Sequence, residues 1–456
     1  MKQLLYIISA LAVLTTTACR KYVEISPINV RELKYTKDYQ GLLYNSFQLM
    51  DKTYLYPLYA SDEVWTADGA VWQTNLNINA GYAYCWLPKL WTETQEDQDW
   101  AGQYSIIYNT NVVVNEVMSS EGGTEADKIK AYSEALVHRA HAYYTLVNIY
   151  AKQYDETTAA TDPGVPVVLQ SNFTASLKRV PVAGVYDQIV SDLQTALPNL
   201  AATPDVNTNP SKAAVYAMLS RVYLNKRDFI NAGLYADSAL QLKNTLVDLN
   251  AYAAAPTTYP SKVNDPENIF PKTISNAPIT LPLSNDLMNL FDQVNDLRYA
   301  LFTKAGADIP ASNFTNRGYY KHRLVNQGIY VGPKVPEMML IKAECEARAG
   351  NTSSAVGILN ALRRKRLVTT GYADLTAADK DQALQLVITE RRKELMGTGA
   401  RWFDQRRLQK DNGFIVTVSR AFKGVTYTLT PGSNEYTFAI ADKYILLNPE
   451  IEQNPR

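Results

Sequence analysis

Residues 214–240 read AVYAMLSRVYLNKRDFINAGLYADSAL, and their pattern predicts the architecture of the chain. Apolar residues recur at helical spacing on both sides of the polar turn NKRD, so the segment reads as two helices joined by a short turn. Small and large side chains match the positions of a tetratricopeptide repeat: Leu219, Ser220, Tyr223, Ala232 and Ala239. Small residues at these positions let paired helices approach closely.

A second copy of this pattern lies further along the chain. Pro336–Lys365 reads PEMMLIKAECEARAGNTSSAVGILNALRRK, and Ala343 and Ala355 keep the separation of Ser220 and Ala232. Gly350 is expected to stop the first helix of this pair. Further helices are expected at 131–154 and 185–200, and a third unit at 379–408. We therefore predict a mainly α fold, a solenoid of tetratricopeptide-like helix pairs.

Long irregular stretches, rich in Asn, Gly, Pro, Tyr and Trp, separate the helical units. Loops of this length in a compact domain are usually functional or mobile. We expect a signal peptide at 1–18 and one domain at 19–456. Within that domain we expect a helical scaffold at about 35–60, 100–245 and 335–410, and an irregular ligand-binding lobe at about 61–99 and 250–330.

The first residues have the layout of a bacterial secretory signal. Lys2 precedes an apolar run at 4–14, and small residues follow at 16–18. The run is shorter than the roughly 20 apolar residues that span a bilayer. Cys19 follows directly, as in a lipoprotein signal, in which the thiol takes the lipid. The usual lipoprotein pattern has Leu where this chain has Thr16, and the alternative is an accidental cysteine beside an ordinary cleavage site.

Composition narrows the range of partners. The 45 Lys and Arg residues balance 45 Asp and Glu residues, so the formal net charge is zero. This balance does not favour nucleic acid or an anionic membrane surface as a partner. Beyond Cys19 the chain has Cys85 and Cys345. Their pairing stays open, and a buried free thiol is favoured for Cys345 because it lies in a helical pattern.

Aromatic and polar residues alternate in DEVWTADGAVWQTNLNINAGYAYCW, Asp62–Trp86. A sugar ring has an apolar face that an aromatic ring can cover, and a rim of hydroxyls that amides or carboxylates can bind. For any single ring, the simpler interpretation is that it packs the lobe onto the solenoid and does not contact a ligand. The candidate ligand-binding residues are Trp65, Asp68, Trp72, Asn75, Tyr82 and Trp86, with Arg317 and Tyr319 of NRGYYKHR as weaker ones.

The sequence contains no persuasive catalytic or metal motif. No nucleophile elbow, P-loop or dinucleotide fingerprint lies in a suitable strand-to-helix context. His138 and His141 lack the further ligands of a zinc site. The acidic loop at 92–100 does not have calcium-loop spacing, although a single irregular site stays open. We therefore expect no catalytic residue, no metal and no cofactor. In ARWFDQRRL, we expect Trp402 and Phe403 in the core and the arginines paired with Asp404, Glu390 and Glu394.

Several motifs along the chain together resemble the SusD/RagB family of nutrient-binding outer-membrane lipoproteins. They occur in this order: ASDEVW, WAGQYSIIYNTNVVVNEV, EALVHRAHAYYTLVNIYA, PEMMLIKAECEARAGN, ERRKELMGTGARWFDQRRL and LNPEIEQNP. The resemblance implies tetratricopeptide-like helix pairs that support an irregular ligand-binding lobe. It also implies a lipid-anchored protein on the outer face of the outer membrane, which caps a SusC-like TonB-dependent transporter and captures glycans or, in some branches, peptides.

The expected function is therefore capture of oligosaccharides and their transfer to a SusC-like transporter, without catalysis. Two alternatives remain open at this point. One is a peptide-binding member of the same family, which would rely on backbone pairing more than on stacking rings. The other is a tetratricopeptide scaffold that binds a protein partner along its concave face.

Overall fold

The computed structural model describes residues 33–455, except 173–174, 205–207, 276–279, 311 and 313. Within these residues the fold is mainly helical with short strands, which confirms the predicted class. Among them, no helix is long and apolar enough to cross a membrane. The expected signal peptide and Cys19 lie outside the described residues.

The described helices, numbered along the chain, are α1 (Thr36–Leu43), α2 (Ser46–Leu49), α3 (Tyr56–Ala60), α4 (Val71–Asn75), α5 (Ile78–Tyr84), α6 (Gln98–Glu116), α7 (Glu125–Tyr150), α8 (Val182–Ala196), α9 (Lys212–Lys226), α10 (Phe229–Leu242), α11 (Asn285–Met288), α12 (Leu297–Phe302), α13 (Lys321–Val325), α14 (Val335–Arg348), α15 (Thr352–Arg363), α16 (Lys380–Glu394), α17 (Ala400–Arg407) and α18 (Asp442–Leu447). The strands are β1 (Pro163–Pro166), β2 (Arg179–Pro181), β3 (Thr273–Ile274), β4 (Thr303–Ala305), β5 (Arg317–Tyr319), β6 (Ile329–Tyr330), β7 (Val418–Phe422) and β8 (Val425–Leu429).

Helices α9 and α10 form the hairpin predicted from residues 214–240. Ser220 and Ala232 face each other in the interior, and the Ser220 hydroxyl donates a 3.0 Å hydrogen bond to the Ala232 carbonyl. Arg227 adopts a left-handed conformation at the turn between the helices, with φ at 62°. Small residues therefore set the close approach of the pair, as the spacing predicts.

The second predicted pair is α14 and α15. Ala343 and Ala355 are both buried where these helices meet. Gly350 follows the end of α14 with φ at 85°, a left-handed conformation that ends a helix at little cost for glycine. The expected third unit differs, because α16 packs against α14 and α15 whereas α17 packs against α3.

The long helices form one continuous layer. Along the layer α6 packs on α7, α7 on α8, α8 on α9, α9 on α10, α10 on α14, and α14 on α15 and α16. Helices α10 and α14 are neighbours although residues 243–334 separate them in sequence. These intervening residues leave the solenoid and form much of the lobe.

Short backbone pairings hold the lobe together. Strand β4 pairs with β5, and β3 pairs with β6. Val64 forms an antiparallel bridge with Leu283, and Pro282 forms one with Gly318. The segments around residues 64, 283 and 318 therefore lie side by side, which brings the start of the aromatic stretch to the β4–β5 hairpin.

The β7–β8 hairpin covers the two short helices α4 and α5. The Gln73 side chain donates a 3.0 Å hydrogen bond to the Ala421 carbonyl, and the Gly424 amide donates one of 2.9 Å to Asp68. Arg420, on β7, has a buried side chain that donates to three carbonyls, those of Tyr59, Tyr84 and Ser61. The C-terminal hairpin thus fixes the segment that carries most of the candidate ligand residues.

Candidate functional site

Two of the candidate tryptophans are part of the interior. Trp72 is 0% exposed, donates from Nε1 to the Thr280 carbonyl at 3.0 Å, and packs edge-on against Tyr84. Trp86 is 5% exposed and donates from Nε1 to the Ala60 carbonyl at 2.8 Å. Since protein atoms cover both rings, the expectation that they offer a free stacking face is wrong.

Trp65 is placed differently from those two residues. Its side chain is half-buried, and its backbone is fixed at both ends of the residue. The Trp65 amide donates to the Pro282 carbonyl at 3.1 Å, and the Trp65 carbonyl accepts from Asn316 Nδ2 at 2.9 Å. Trp65 is thus a ring at the surface of the lobe held by a rigid backbone, and its contact with a ligand stays a prediction.

The other candidates of this segment are accessible. Asp68 and Asn75 are exposed, and Tyr82 is 38% exposed on α5. One Asp68 oxygen accepts from the Gly69 amide at 3.0 Å, and the other accepts from Gly424. Asp68 therefore both closes the segment against the hairpin and presents a carboxylate to solvent. We define the lobe surface as Trp65, Asp68, Asn75 and Tyr82.

The two weaker candidates make contacts within the protein. Arg317 donates from Nε to Thr303 Oγ1 at 2.7 Å, and its guanidinium lies 4.0 Å from the centre of the Tyr299 ring. Tyr319 is buried and stacks on His322 with ring centres 5.5 Å apart. Burial excludes Tyr319 from a surface site, which corrects that expectation, and Arg317 serves the β4–β5 hairpin.

The two acids that begin the aromatic stretch, Asp62 and Glu63, make contacts within the protein. Asp62 is paired with Arg401, and Gly397 donates its amide to Glu63 Oε2 at 3.2 Å. Burial raises the pKa of the Glu63 carboxyl to about 8. Glu63 Oε1 has no hydrogen-bond partner among the described residues. Glu63 is therefore a buried, predominantly protonated acid behind the lobe surface.

The arginines of α17 pair only partly as expected. Arg407 donates to Asp404 at 2.7 Å, as predicted, and also to Glu344. Arg406 instead donates to the carbonyls of Asn148 and Ala151. Trp402 is buried, as predicted, and Phe403 is half-buried. Sequence analysis did not identify Arg298 and Arg366 as the partners of Glu394, because both come from distant segments.

The cysteines and the two neighbouring histidines are interior residues. Cys85 and Cys345 are both free and buried. His138 and His141 pack against Phe270. Burial, and then the charge of Lys272, hold the pKa of both imidazoles well below the usual value. Within the described ranges, no group of three or more His, Cys, Asp or Glu side chains is placed to hold a metal ion.

Comparison with known proteins agrees with this architecture. A family model described as starch-binding and associating with the outer membrane matches residues 27–224, and a model of the SusD family matches residues 335–456. The chain belongs to the SusD/RagB family. Members of this family are binding proteins associated with the outer membrane.

Individual relatives are distant in sequence. SusD-like protein P2 of Formosa agariphila is 25% identical over 374 residues, which cover 69% of this chain and 72% of that protein. Two other curated relatives match over shorter stretches, and the chain spans 22% and 25% of their lengths.

Solved structures share the fold over nearly the whole chain. A SusD superfamily protein of Bacteroides thetaiotaomicron has a TM-score of 0.73 at 21% identity, covering 92% of this chain and 100% of that one. A laminarin-binding SusD-like protein has a TM-score of 0.67 at 16% identity, covering 93% of this chain and 100% of that one.

Proposed function

We propose that this protein is a cell-surface lipoprotein that captures oligosaccharides and passes them to a SusC-like TonB-dependent transporter. It acts by binding, without a catalytic step. Membership of a family of outer-membrane-associated binding proteins supports the proposal, as does the fold shared with a laminarin-binding protein. The observation that carries it is the lobe surface, where the half-buried ring of Trp65 belongs to the same segment as exposed Asp68, Asn75 and Tyr82.

The chemistry of these four residues suits a sugar. The indole of Trp65 and the phenol of Tyr82 each present an apolar face to the C–H groups of a pyranose ring. The Asp68 carboxylate accepts hydrogen bonds from sugar hydroxyls, and the Asn75 amide both donates and accepts. Each such bond replaces a bond to water and nets about 1 kcal/mol, so the rings supply most of the contact energy and the polar groups supply the preference.

The expected affinity is weak. Stacking of a base on an aromatic side chain contributes about 1–3 kcal/mol, and we expect no more from a sugar face. After the cost of ordering a flexible oligosaccharide, such a site gives a dissociation constant of roughly micromolar to millimolar. Weak binding suits a protein that releases its ligand to a transporter.

The proposed anchor is a lipid on Cys19. A lipid on this residue would keep the protein beside its transporter. A single acyl chain binds a membrane only marginally, whereas the several chains of bacterial lipoproteins hold it stably.

A binding survey tests the function directly. The chain from Arg20 onward is purified and applied to a glycan array and, in parallel, to a peptide library. We expect binding to one class of glycans and none to the peptides. Binding to peptides alone would contradict the oligosaccharide assignment and support the peptide-binding branch. The transporter is tested separately, by co-purification of the full-length chain with the SusC-like protein encoded beside it.

A further inference from the structure

The backbone of the β7–β8 hairpin shows which of its groups point outward. Both turn residues, Lys423 and Gly424, have positive φ, 53° and 78°, as in a two-residue type I′ turn. In such a hairpin the pair beside the turn exchanges both backbone hydrogen bonds, and every second pair beyond it does the same. Thr426 and Thr428 lie in the intervening pairs, so their N–H and C=O groups point away from β7.

A side-chain contact on the other strand agrees with this assignment. Ala421 stands opposite Thr426 in the hairpin, and its carbonyl accepts a 3.0 Å hydrogen bond from the Gln73 side chain of α4. The Ala421 carbonyl is therefore free of the ladder and points outward. Helix α4 thus covers part of the outer edge of β7.

The outer edge of β8 is not covered in this way. Among the described residues, none forms a hydrogen bond with the N–H or C=O of Thr426 or Thr428, and both threonines are exposed. The outer edge of β5 shows the contrast, because the Tyr319 amide donates to the Leu281 carbonyl at 2.8 Å. A row of unpaired backbone groups on an exposed strand is able to pair with a further strand.

The sequence of β8 does not block such pairing. Native edge strands are commonly protected by lysine, proline or a bulge. Strand β8 reads VTYTL, with no charged residue and no proline, and it stays in register with β7 over all five pairs. Its residues are mostly β-branched or aromatic, the types that favour strands. The edge therefore has both the backbone groups and the side chains that strand addition needs.

We propose that β8 is the docking edge for an extended loop of the transporter, which adds a third strand to the hairpin. The inference rests on the proposed function, in which the chain passes its ligand to an outer-membrane transporter. Outer-membrane barrels carry long loops on their outer side, and such a loop can supply an extended segment. In strand addition the backbone hydrogen bonds give affinity, and the alternating side chains give specificity.

The two faces of β8 define the chemistry of the loop. Thr426 and Thr428 point to the solvent face, where the Thr428 hydroxyl lies 3.2 Å from that of Ser419. Val425, which is 50% exposed, and Tyr427 point to the opposite face, which carries the buried side chains of the hairpin. Side chains directly opposite each other share a face of the sheet. The loop should therefore be uncharged and alternate polar residues beside the threonines with apolar residues beside Tyr427.

A second copy of this chain suits the edge less well. Two copies joined through β8 would share one five-residue strand each, a small fraction of the roughly 800 Å² per partner that stable interfaces bury. A transporter loop belongs to a larger partner, and the proposed lipid anchor already holds the two proteins close together, which raises their effective concentration.

Docking at β8 would bring the transporter to the ligand. The Gly424 amide at the hairpin turn donates to Asp68 at 2.9 Å, so the hairpin is fixed to the segment that carries the lobe surface. A loop paired with β8 therefore lies beside the proposed glycan site.

A proline substitution tests the edge. The full-length chain is titrated with the SusC-like protein encoded beside it, and the dissociation constant is measured. Thr426→Pro removes an outward N–H and puts a ring in its place without removing a bond between β7 and β8. We expect the dissociation constant to rise at least tenfold. Ser419→Pro is the matched control, because Ser419 points its N–H to the opposite edge of the same hairpin, and it should bind as wild type does.

A third variant separates backbone from side chain. Thr426→Val keeps the N–H and the β-branched shape and removes only the hydroxyl, so it should bind the transporter as wild type does. Equal dissociation constants for wild type and Thr426→Pro would overturn the docking edge, as would an equal loss in Ser419→Pro. Failure of the wild-type chain to bind the transporter would instead contradict the proposed function. Glycan binding should be the same in all variants.

Hydrogen exchange tests the unaltered protein. We expect exchange at the Thr426 and Thr428 amides to slow when the transporter is bound, and unchanged exchange there would contradict the proposal. Sedimentation of the chain alone tests the other occupant. A dimer that Thr426→Pro dissociates would show that a second copy occupies the edge, and it would overturn the assignment to the transporter.

Discussion

Arg401 and Asp62 form two hydrogen bonds, 2.9 Å from Nε to Oδ1 and 2.8 Å from Nη2 to Oδ2. This pair joins α17, near the end of the solenoid, to the residue that begins the aromatic stretch. Burial opposes ionisation of Asp62, but the charges of Arg401, Arg392 and Arg420 together lower its pKa. The position of the lobe surface thus depends on a charge pair that is largely withdrawn from water.

We expect Arg401→Met to destabilise the protein by about 3 kcal/mol, because it leaves a largely buried carboxylate without its partner. The free energy of unfolding is measured by urea denaturation at pH 7. Arg364→Met is the matched control: Arg364 also donates two hydrogen bonds to one acid, Asp374, but both side chains are more than half exposed. That change should cost at most about 1 kcal/mol, and equal losses in the two variants would contradict the assignment.

The pKa of Glu63 is raised in the folded protein, whereas that of its neighbour Asp62 is lowered. Its carboxyl pKa in the folded state is about 8, above its usual value of 4.5, so between these values the folded state binds the proton and the unfolded state does not. The contribution of Glu63 to stability therefore falls as pH rises through this window. Glu63→Gln keeps the shape of the neutral acid and its oxygen for Gly397.

We expect the Glu63→Gln variant to be more stable than wild type at pH 8, by about 1 kcal/mol or more, and to match it near pH 4.5. Urea midpoints measured across this range check the prediction. If the difference in stability between wild type and variant did not change with pH, Glu63 would have its usual pKa, and the prediction would be wrong.

Trp65→Ala should weaken glycan binding at least tenfold and leave the melting temperature nearly unchanged. The ring is half-buried, so its removal takes away a stacking face worth about 1–3 kcal/mol without opening a core cavity. Isothermal titration with a glycan identified on the array measures the loss. Normal affinity in this variant would exclude Trp65 from the site.

Trp72→Ala is the matched comparison for Trp65→Ala. It removes a fully buried ring and the hydrogen bond to Thr280, so we expect a loss of about 3–5 kcal/mol in stability. At a temperature where the variant is still folded, its affinity for glycan should equal that of wild type. A stable Trp72→Ala protein that fails to bind would reverse the roles assigned to the two tryptophans.

Cys19→Ala should move the protein from the membrane fraction to the soluble fraction of lysed cells and leave its melting temperature unchanged. The thiol is the proposed site of the lipid, and the described fold begins only at Leu33. Fractionation followed by immunoblotting measures the distribution. A variant that still sediments with membranes would show that Cys19 is not the anchor.

The helix pairs could be predicted because their determinants are local. Ser220 and Ala232 lie within one hairpin, so their spacing alone indicates which faces meet. Gly350 likewise ends its helix through its own backbone conformation. Neither inference requires knowledge of any other part of the chain.

Which aromatic rings are buried and which are exposed could not be predicted in the same way. The Trp72 ring donates a hydrogen bond to the carbonyl of Thr280, and the guanidinium of Arg420 lies over the Trp86 ring. Both partners are far away in sequence, so the alternation of rings and amides in 62–86 does not distinguish a core ring from a surface ring.

Helices α10 and α14 are packed as neighbours, with residues 243–334 inserted between them. Closing such an insertion costs entropy that grows only with the logarithm of its length, about 0.6 kcal/mol for each doubling. The scaffold can therefore accept longer, shorter or reshaped insertions at this joint with little change in its own stability. Pro282, whose carbonyl holds the Trp65 amide, belongs to this insertion, so the backbone that supports the lobe surface can change while the register of the supporting helices stays as it is.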